Sequence, residues 1–203
     1  IGVSTLPPKE RGCNGTDILI RVVDAVHAPW RSRFALLRSA SDLEYVNKYF
    51  ESMDNSVRYA EHYRYDHYLY LSKSGKGYTS RAYGMLQIFA LSHEYALYMD
   101  FDAVFEPRVF VADHPLDVFT RSNKSLVLMA EMALCSCHFF LKNDHWGRCF
   151  AQDWIRRCAT KGYCSRDKGK TIEDQIAYDL LIYEELVAHS DWALRLLLVW
   201  LSP

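Results

Sequence analysis

Two aspartates one residue apart, Asp100 and Asp102, stand at the end of the apolar run Tyr95-Ala96-Leu97-Tyr98-Met99, and the chain returns at once to Ala103-Val104-Phe105 and Pro107. In extended backbone, residues i and i+2 project to the same side, so the pair can address one ligand. Carboxylates are hard oxygen donors that suit Mn²⁺ or Mg²⁺, and two of them leave coordination positions open for diphosphate oxygens and water. Apolar chain on both sides makes uncompensated carboxylates costly, so a cation or hydrogen-bond donors must face them. A D-x-D in a solvated turn would carry no such demand.

The elements around the pair must place it. The 203 residues, half of them hydrophobic, suffice for the core of one ordinary domain. Residues 1–30 read as a lead-in segment, with one β-like run at Ile18–Val23, and 31–203 as the domain. Arg33–Ala40 reads as a buried strand ending in a Ser-Asp helix cap. Leu43, Val46, Tyr49 and Phe50 then recur at helical spacing. Tyr65–Ser72 alternates like a strand, Ser80–His93 is helical in pattern, and Tyr95–Met99 is the next strand. Strands alternating with helices predict an α/β domain with a mostly parallel, Rossmann-like central sheet. Ligands of such sheets bind outside the carboxyl ends of the strands, where Asp100 and Asp102 lie. Further on, Leu126–Met132 and His138–Asn143 read as short strands, His145–Ala159 as an amphipathic helix and Thr171–Ala188 as another helix. The apolar stretch Trp192–Pro203 is too short to span a bilayer, carries Arg195, and reads as a buried or interface helix.

Bulk properties narrow the partners. A formal net charge of -1, from 24 basic and 25 acidic side chains, gives no reason to expect nucleic acid or an anionic membrane surface. No metal-type CxxC pair occurs among Cys13, Cys135, Cys137, Cys149, Cys158 and Cys164, so structural zinc is not expected. Cys158 with Cys164 is the easiest local disulfide. The sequons Asn14-Gly15-Thr16 and Asn123-Lys124-Ser125 favour the secretory pathway. With no signal peptide at Ile1, a targeting or membrane-anchor segment would lie outside this sequence. No HxxH or HxD cluster supports a metal-dependent hydrolase.

The strand Glu94–Pro107 resembles the D-x-D strand of GT-A nucleotide-sugar glycosyltransferases, and most of all the galactosyl-, xylosyl- and mannosyltransferases of glycosyltransferase family 34. Three further blocks are similar in order and spacing: Asn55–Tyr70, with its N-x-x-x-Y-A stretch; Cys135–Trp154; and the D-Q-x-A helix at Glu173–Leu181. The resemblance implies a GT-A fold and metal-dependent, retaining transfer of a sugar from a UDP- or GDP-sugar to a glycan or glycoprotein in the Golgi lumen. It also implies roles. Asp100 and Asp102 would hold the metal that bridges the donor diphosphate. Arg81, at the start of a helix, would contact the diphosphate, while Asp174 and Gln175 would face the donor sugar and the reacting carbon. His189 is the candidate third metal ligand.

Other residues have two readings. Trp146, Phe150 and Trp154 recur every four residues and read as core first, sugar platform second. Asn143 could cap the chain or belong to the site, and His138 could be a buried histidine or face it. The basic residues Arg156, Arg157, Lys161, Arg166, Lys168 and Lys170 could steer an anionic donor or simply face solvent. The sequence departs from the family at Cys135 and Cys137, where it usually has asparagine and glycine, and at Arg64, where the turn usually has glycine. The rival reading is a non-catalytic GT-A-like subunit of a larger assembly.

Overall fold

The computed structural model describes residues 17–23, 33–72, 80–107, 115–121, 123–130, 134–161, 178–184 and 196–200. Its strands are β1 (Ile18–Val23), β2 (Phe34–Ala40), β3 (Asp66–Leu71), β4 (Tyr95–Met99), β5 (Leu126–Ala130), β6 (Leu134–Lys142) and β7 (Leu196–Trp200). Its helices are α1 (Leu43–Lys48), α2 (Phe50–Tyr63), α3 (Ser80–Ala90), α4 (Pro115–Thr120), α5 (His145–Lys161) and the helical residues 178–184, here α6. The strands form one sheet in the order β1-β3-β2-β4-β6-β5-β7. β3, β2 and β4 are parallel, as the alternation of strand and helix requires, and β7 is parallel to β5. β1 and β6 run against their neighbours.

Alternation within each strand divides the core between two faces. Ala35, Leu37, Tyr68, Tyr70, Ala96 and Tyr98 pack with α3, α5 and α6. Phe34, Leu36, Tyr95, Leu97 and Met99 meet Tyr59 and Ala60 of α2 on the other face. Trp154, Phe150 and Phe139 surround Tyr178 of α6, so the tryptophan and phenylalanine of the every-fourth pattern are core residues, and Trp146 stacks on Phe150 at 5.1 Å.

Local chemistry sets the element ends. Asp42 caps α1 by accepting from the Tyr45 amide at 2.7 Å. Asp144 caps α5 by accepting from the Gly147 amide at 2.8 Å, and its other oxygen accepts from Ser125. A side chain at 147 would put Cβ 2.0 Å from the Lys142 carbonyl oxygen, so this turn needs glycine. The helical spacing of Leu43 and Phe50 does not mark a buried face: both are exposed, and the helix breaks at Tyr49 between α1 and α2.

Arg64 closes α2 in the left-handed conformation, at φ 57° and ψ 44°. A Cβ in that conformation is strained, and glycine is the residue that adopts it without cost. Arg64→Gly should therefore stabilise the fold by about 0.5–1 kcal/mol, read as a higher urea midpoint. A lower midpoint would contradict this account of the cap.

The expectation of a helix over Trp192–Pro203 is corrected. Leu196–Trp200 forms β7, paired with β5 from Leu126↔Leu196 to Ala130↔Trp200. A short continuous apolar run fits a buried helix or a parallel strand equally well by pattern. Here β5 decides, because its side away from β6 offers backbone groups that an extended segment can pair in register and a helix cannot. The lead-in segment likewise contributes β1, the edge strand beside β3.

Candidate active site at the carboxyl end of strand β4

β4 delivers the backbone as far as Met99, and the Asp100 amide still donates to the Cys137 carbonyl of β6 at 2.7 Å. The chain then turns. The Ala103 amide donates back to the Asp100 carbonyl at 3.1 Å, so Phe101 and Asp102 are the central residues of a tight turn. This corrects the extended geometry expected for the D-x-D. The two aspartates are brought together by a turn, with Phe101 buried between them against Tyr45 and Tyr49.

The two carboxylates have different environments. Asp100 is partly buried, and each of its oxygens has a donor: the Tyr98 hydroxyl at 2.6 Å on Oδ1 and an Arg81 guanidinium nitrogen at 3.2 Å on Oδ2. Burial raises the Asp100 carboxyl above the usual carboxylate range, against the opposing pull of Arg81 and of the Tyr98 hydrogen bond. Burial also raises the Tyr98 phenol. Asp102 is exposed at the tip of the turn.

Arg81 sits in the first turn of α3, across the carboxyl end of the sheet from Asp100. It donates to the carbonyl of Ser136 at 2.9 Å and to the Ser136 hydroxyl, and its guanidinium lies over the Tyr98 ring, 5.2 Å from the centroid. β6 thus supplies Ser136 to the site. His138, opposite Met99 in the ladder, is near enough for its charge to act on Asp100. An apolar rim lies beside the turn. Tyr45, about two-fifths exposed, meets the Phe101 ring edge-on at 5.6 Å and is itself in electrostatic range of Asp100 and Asp102.

The donor set for a metal is thus two hard carboxylates, one open and one already hydrogen-bonded. Among the described residues no group of three His, Cys, Asp or Glu side chains could hold a metal ion. Such a pair fits a divalent cation that arrives with diphosphate oxygens as further ligands.

No family model matches the chain, and no curated protein matches it. A solved structure does. It is the crystal structure of a glycosyltransferase involved in the glycosylation of the major capsid of PBCV-1, similar with a TM-score of 0.59 at 10% identity, over 82% of this chain and 81% of that one. The chain shares the fold of that glycosyltransferase. Within that fold, Asp100, Asp102 and Arg81 lie at the carboxyl ends of the parallel strands, with Arg81 paired to Asp100.

Other expected residues fall elsewhere in the fold. Asn143 lies at the opposite end of β4, where its side-chain amide donates to the carbonyls of Phe89 and His93 at 3.0 and 2.8 Å. It ties α3 to the sheet at the turn after β6, and the cap of α5 is made by Asp144. Arg156 pairs with Asp153, and Arg157 pairs with Glu184, joining α5 to α6. Asp174, Gln175, His189, Cys164, Asn14, Arg166, Lys168 and Lys170 lie outside the described residues. The described α6 that follows Asp174 and Gln175 in sequence is anchored by buried Tyr178, Leu181 and Ile182, and Tyr178 is close enough to Arg81 to feel its charge. Tyr98 and Ser136 were missed by sequence reasoning. Tyr98 could have been found from its position two residues before Asp100 on the same strand.

Proposed function

We propose that this chain is a metal-dependent glycosyltransferase that moves a sugar from a UDP- or GDP-sugar to a glycan or glycoprotein acceptor, with retention of anomeric configuration, as in family 34. The observation that carries the reading is the open Asp102 carboxylate beside the Asp100–Arg81 pair, at the ligand-binding end of a glycosyltransferase fold. Asp102 and Asp100 would hold Mn²⁺ or Mg²⁺. The bound ion would supply charge neutralisation as the nucleoside diphosphate leaves.

The protein's own residues supply the rest. Arg81, held by Ser136 and stacked on Tyr98, presents a fixed cation to the diphosphate. Tyr98 and Arg81 together orient the Asp100 carboxylate. We assign Asp174 and Gln175 to the donor sugar and the reacting carbon, and His189 to the third ligand position. In this scheme catalysis comes from orientation and charge stabilisation, without an enzymic nucleophile.

The proposal is tested by incubating the protein with UDP- and GDP-sugars, with and without Mn²⁺, and following nucleotide release together with the anomeric configuration of the product. Metal-dependent release with retention is expected. A folded protein that releases nucleotide from no donor under any metal condition contradicts it. One observation favours the rival reading as a non-catalytic subunit: both Asp100 oxygens already have protein partners, as in a purely structural carboxylate.

The same proposal puts the protein in the secretory pathway, in the Golgi lumen. Asn123 supports it by being exposed ahead of β5, at the opposite end of the sheet from Asp102, where a glycan would leave the site clear. Protein isolated from a eukaryotic secretory host should lose mass on endoglycosidase treatment, and an unmodified Asn123 would oppose this placement.

A further inference from the structure

The N-x-x-x-Y stretch of α2 is left without a role by the site just described, although the sequence singles it out. Asn55 and Tyr59 are one helical turn apart and share a face of α2 with Ser52. That face meets the segment that follows the two aspartates. The Asn55 side-chain amide donates to the Phe105 carbonyl at 3.0 Å, and the Phe105 amide donates to Asn55 Oδ1 at 2.7 Å, so one side chain replaces a strand partner for that residue. The Tyr59 ring stacks on the Phe105 ring at 3.6 Å with an interplanar angle of 2°.

Ser52 continues the same grip. Its hydroxyl donates to the Ala103 carbonyl at 2.6 Å and accepts from Arg38 at 2.9 Å. Arg38 is a cation inside the core, 1% exposed, on the α2 face of β2. One of its terminal nitrogens donates to the Asp100 carbonyl and the other to the Ala103 carbonyl, both at 2.8 Å, and its guanidinium lies 5.5 Å from the centre of the Phe101 ring. The turn that carries Asp102 is therefore held at both ends, Asp100 and Ala103, by one guanidinium, and two residues later by Asn55.

We infer that Arg38, Ser52 and Asn55 are positioning residues that aim the Asp102 carboxylate, and that the N-x-x-x-Y stretch belongs to a clamp on the acidic turn. A buried arginine is costly unless its hydrogen bonds do work that apolar packing cannot do. Here its donors fix backbone carbonyls in a segment that leaves the sheet and has no ladder of its own. Asp102 is exposed and, among the described residues, no side chain hydrogen-bonds or ion-pairs with it, so its aim depends on the backbone beneath it. A displacement of about 1 Å in such a group is enough to weaken a ligand's geometry strongly. The inference rests on the proposed role of Asp102.

The test uses the whole chain with Ser52→Ala, Asn55→Ala and the conservative Ser52→Thr, and it has two readouts. Amide hydrogen exchange in the metal-free protein should accelerate by about tenfold or more at Ala103 and Phe105 in the alanine variants, with the β2 and β4 amides unchanged. Binding of Mn²⁺ with UDP, followed by the electron paramagnetic resonance signal of the ion, should weaken on the order of tenfold in both alanine variants. The signal should also change shape, and Ser52→Thr should restore affinity and line shape together. Unchanged exchange, or faster exchange with wild-type affinity and line shape, overturns the clamp and leaves the role of Asp102 standing. Wild-type protein that binds neither Mn²⁺ nor UDP, while exchange still accelerates in the variants, overturns the functional reading and with it the aiming role.

Discussion

Asp102→Ala should abolish metal-dependent binding of UDP or GDP, weakening it by more than about a hundredfold, while leaving the circular dichroism spectrum and the urea midpoint where they were. The two halves of this expectation have separate causes. Asp102 is exposed at the tip of the turn, so its removal leaves no buried donor unsatisfied. It is also the open carboxylate of the pair, so an ion held there loses a direct ligand. Asp100→Ala makes a useful contrast, because it removes one acceptor each from Arg81 and from the Tyr98 hydroxyl. That variant should lose stability as well as binding, by about 1–3 kcal/mol. If Asp102→Ala binds nucleotide as the wild type does, with the same metal dependence, the assignment of the site is wrong.

The second large effect concerns acid stability. His67 lies on β3 between Leu36 and Val23 in the ladder and is fully buried, and among the described residues neither ring nitrogen has a hydrogen-bond partner. Burial, assisted by the Arg38 charge, lowers its pKa from the ordinary 6.5 to about 3. The folded state therefore holds the ring neutral over a range in which the unfolded chain protonates it. Because the unfolded chain binds more protons there, stability is fully present above pH 6.5. It is then lost as pH falls toward 3, at up to about 1.4 kcal/mol per pH unit. His67→Leu removes both the proton linkage and two unsatisfied buried nitrogens. It should be close to neutral at pH 7.5 and more stable than wild type by about 2 kcal/mol at pH 5, measured by urea unfolding at both values. Equal stability differences at the two pH values would show that His67 is not held neutral by the fold.

The alternation of apolar runs made the sheet legible, because β2, β3 and β4 are buried strands separated by helices with clear caps such as Asp42. The two aspartates were legible for the same reason, since a strand end is where such a sheet binds ligands. What the sequence could not show is long-range. That β6 runs antiparallel and supplies Ser136 depends on pairing across the sheet. That Asp100 is engaged by Arg81 depends on where α3 begins relative to β4. The Asp100–Ala103 turn was hidden because an apolar residue between two aspartates fits alternation, whereas the Phe101 ring is drawn down by Tyr45 and Tyr49. Arg38, a charge within an otherwise apolar strand, had no reading of its own in the sequence. Its partners lie 14 to 65 residues away, beyond the reach of any local pattern.

The most direct measurement is calorimetric titration of UDP and GDP into the purified protein, with and without Mn²⁺. Saturable binding of one of these nucleotides is expected, requiring the metal and disappearing in Asp102→Ala. Binding of neither nucleotide, with Mn²⁺ present and the protein shown to be folded, would contradict the assignment of a donor site to this end of the sheet.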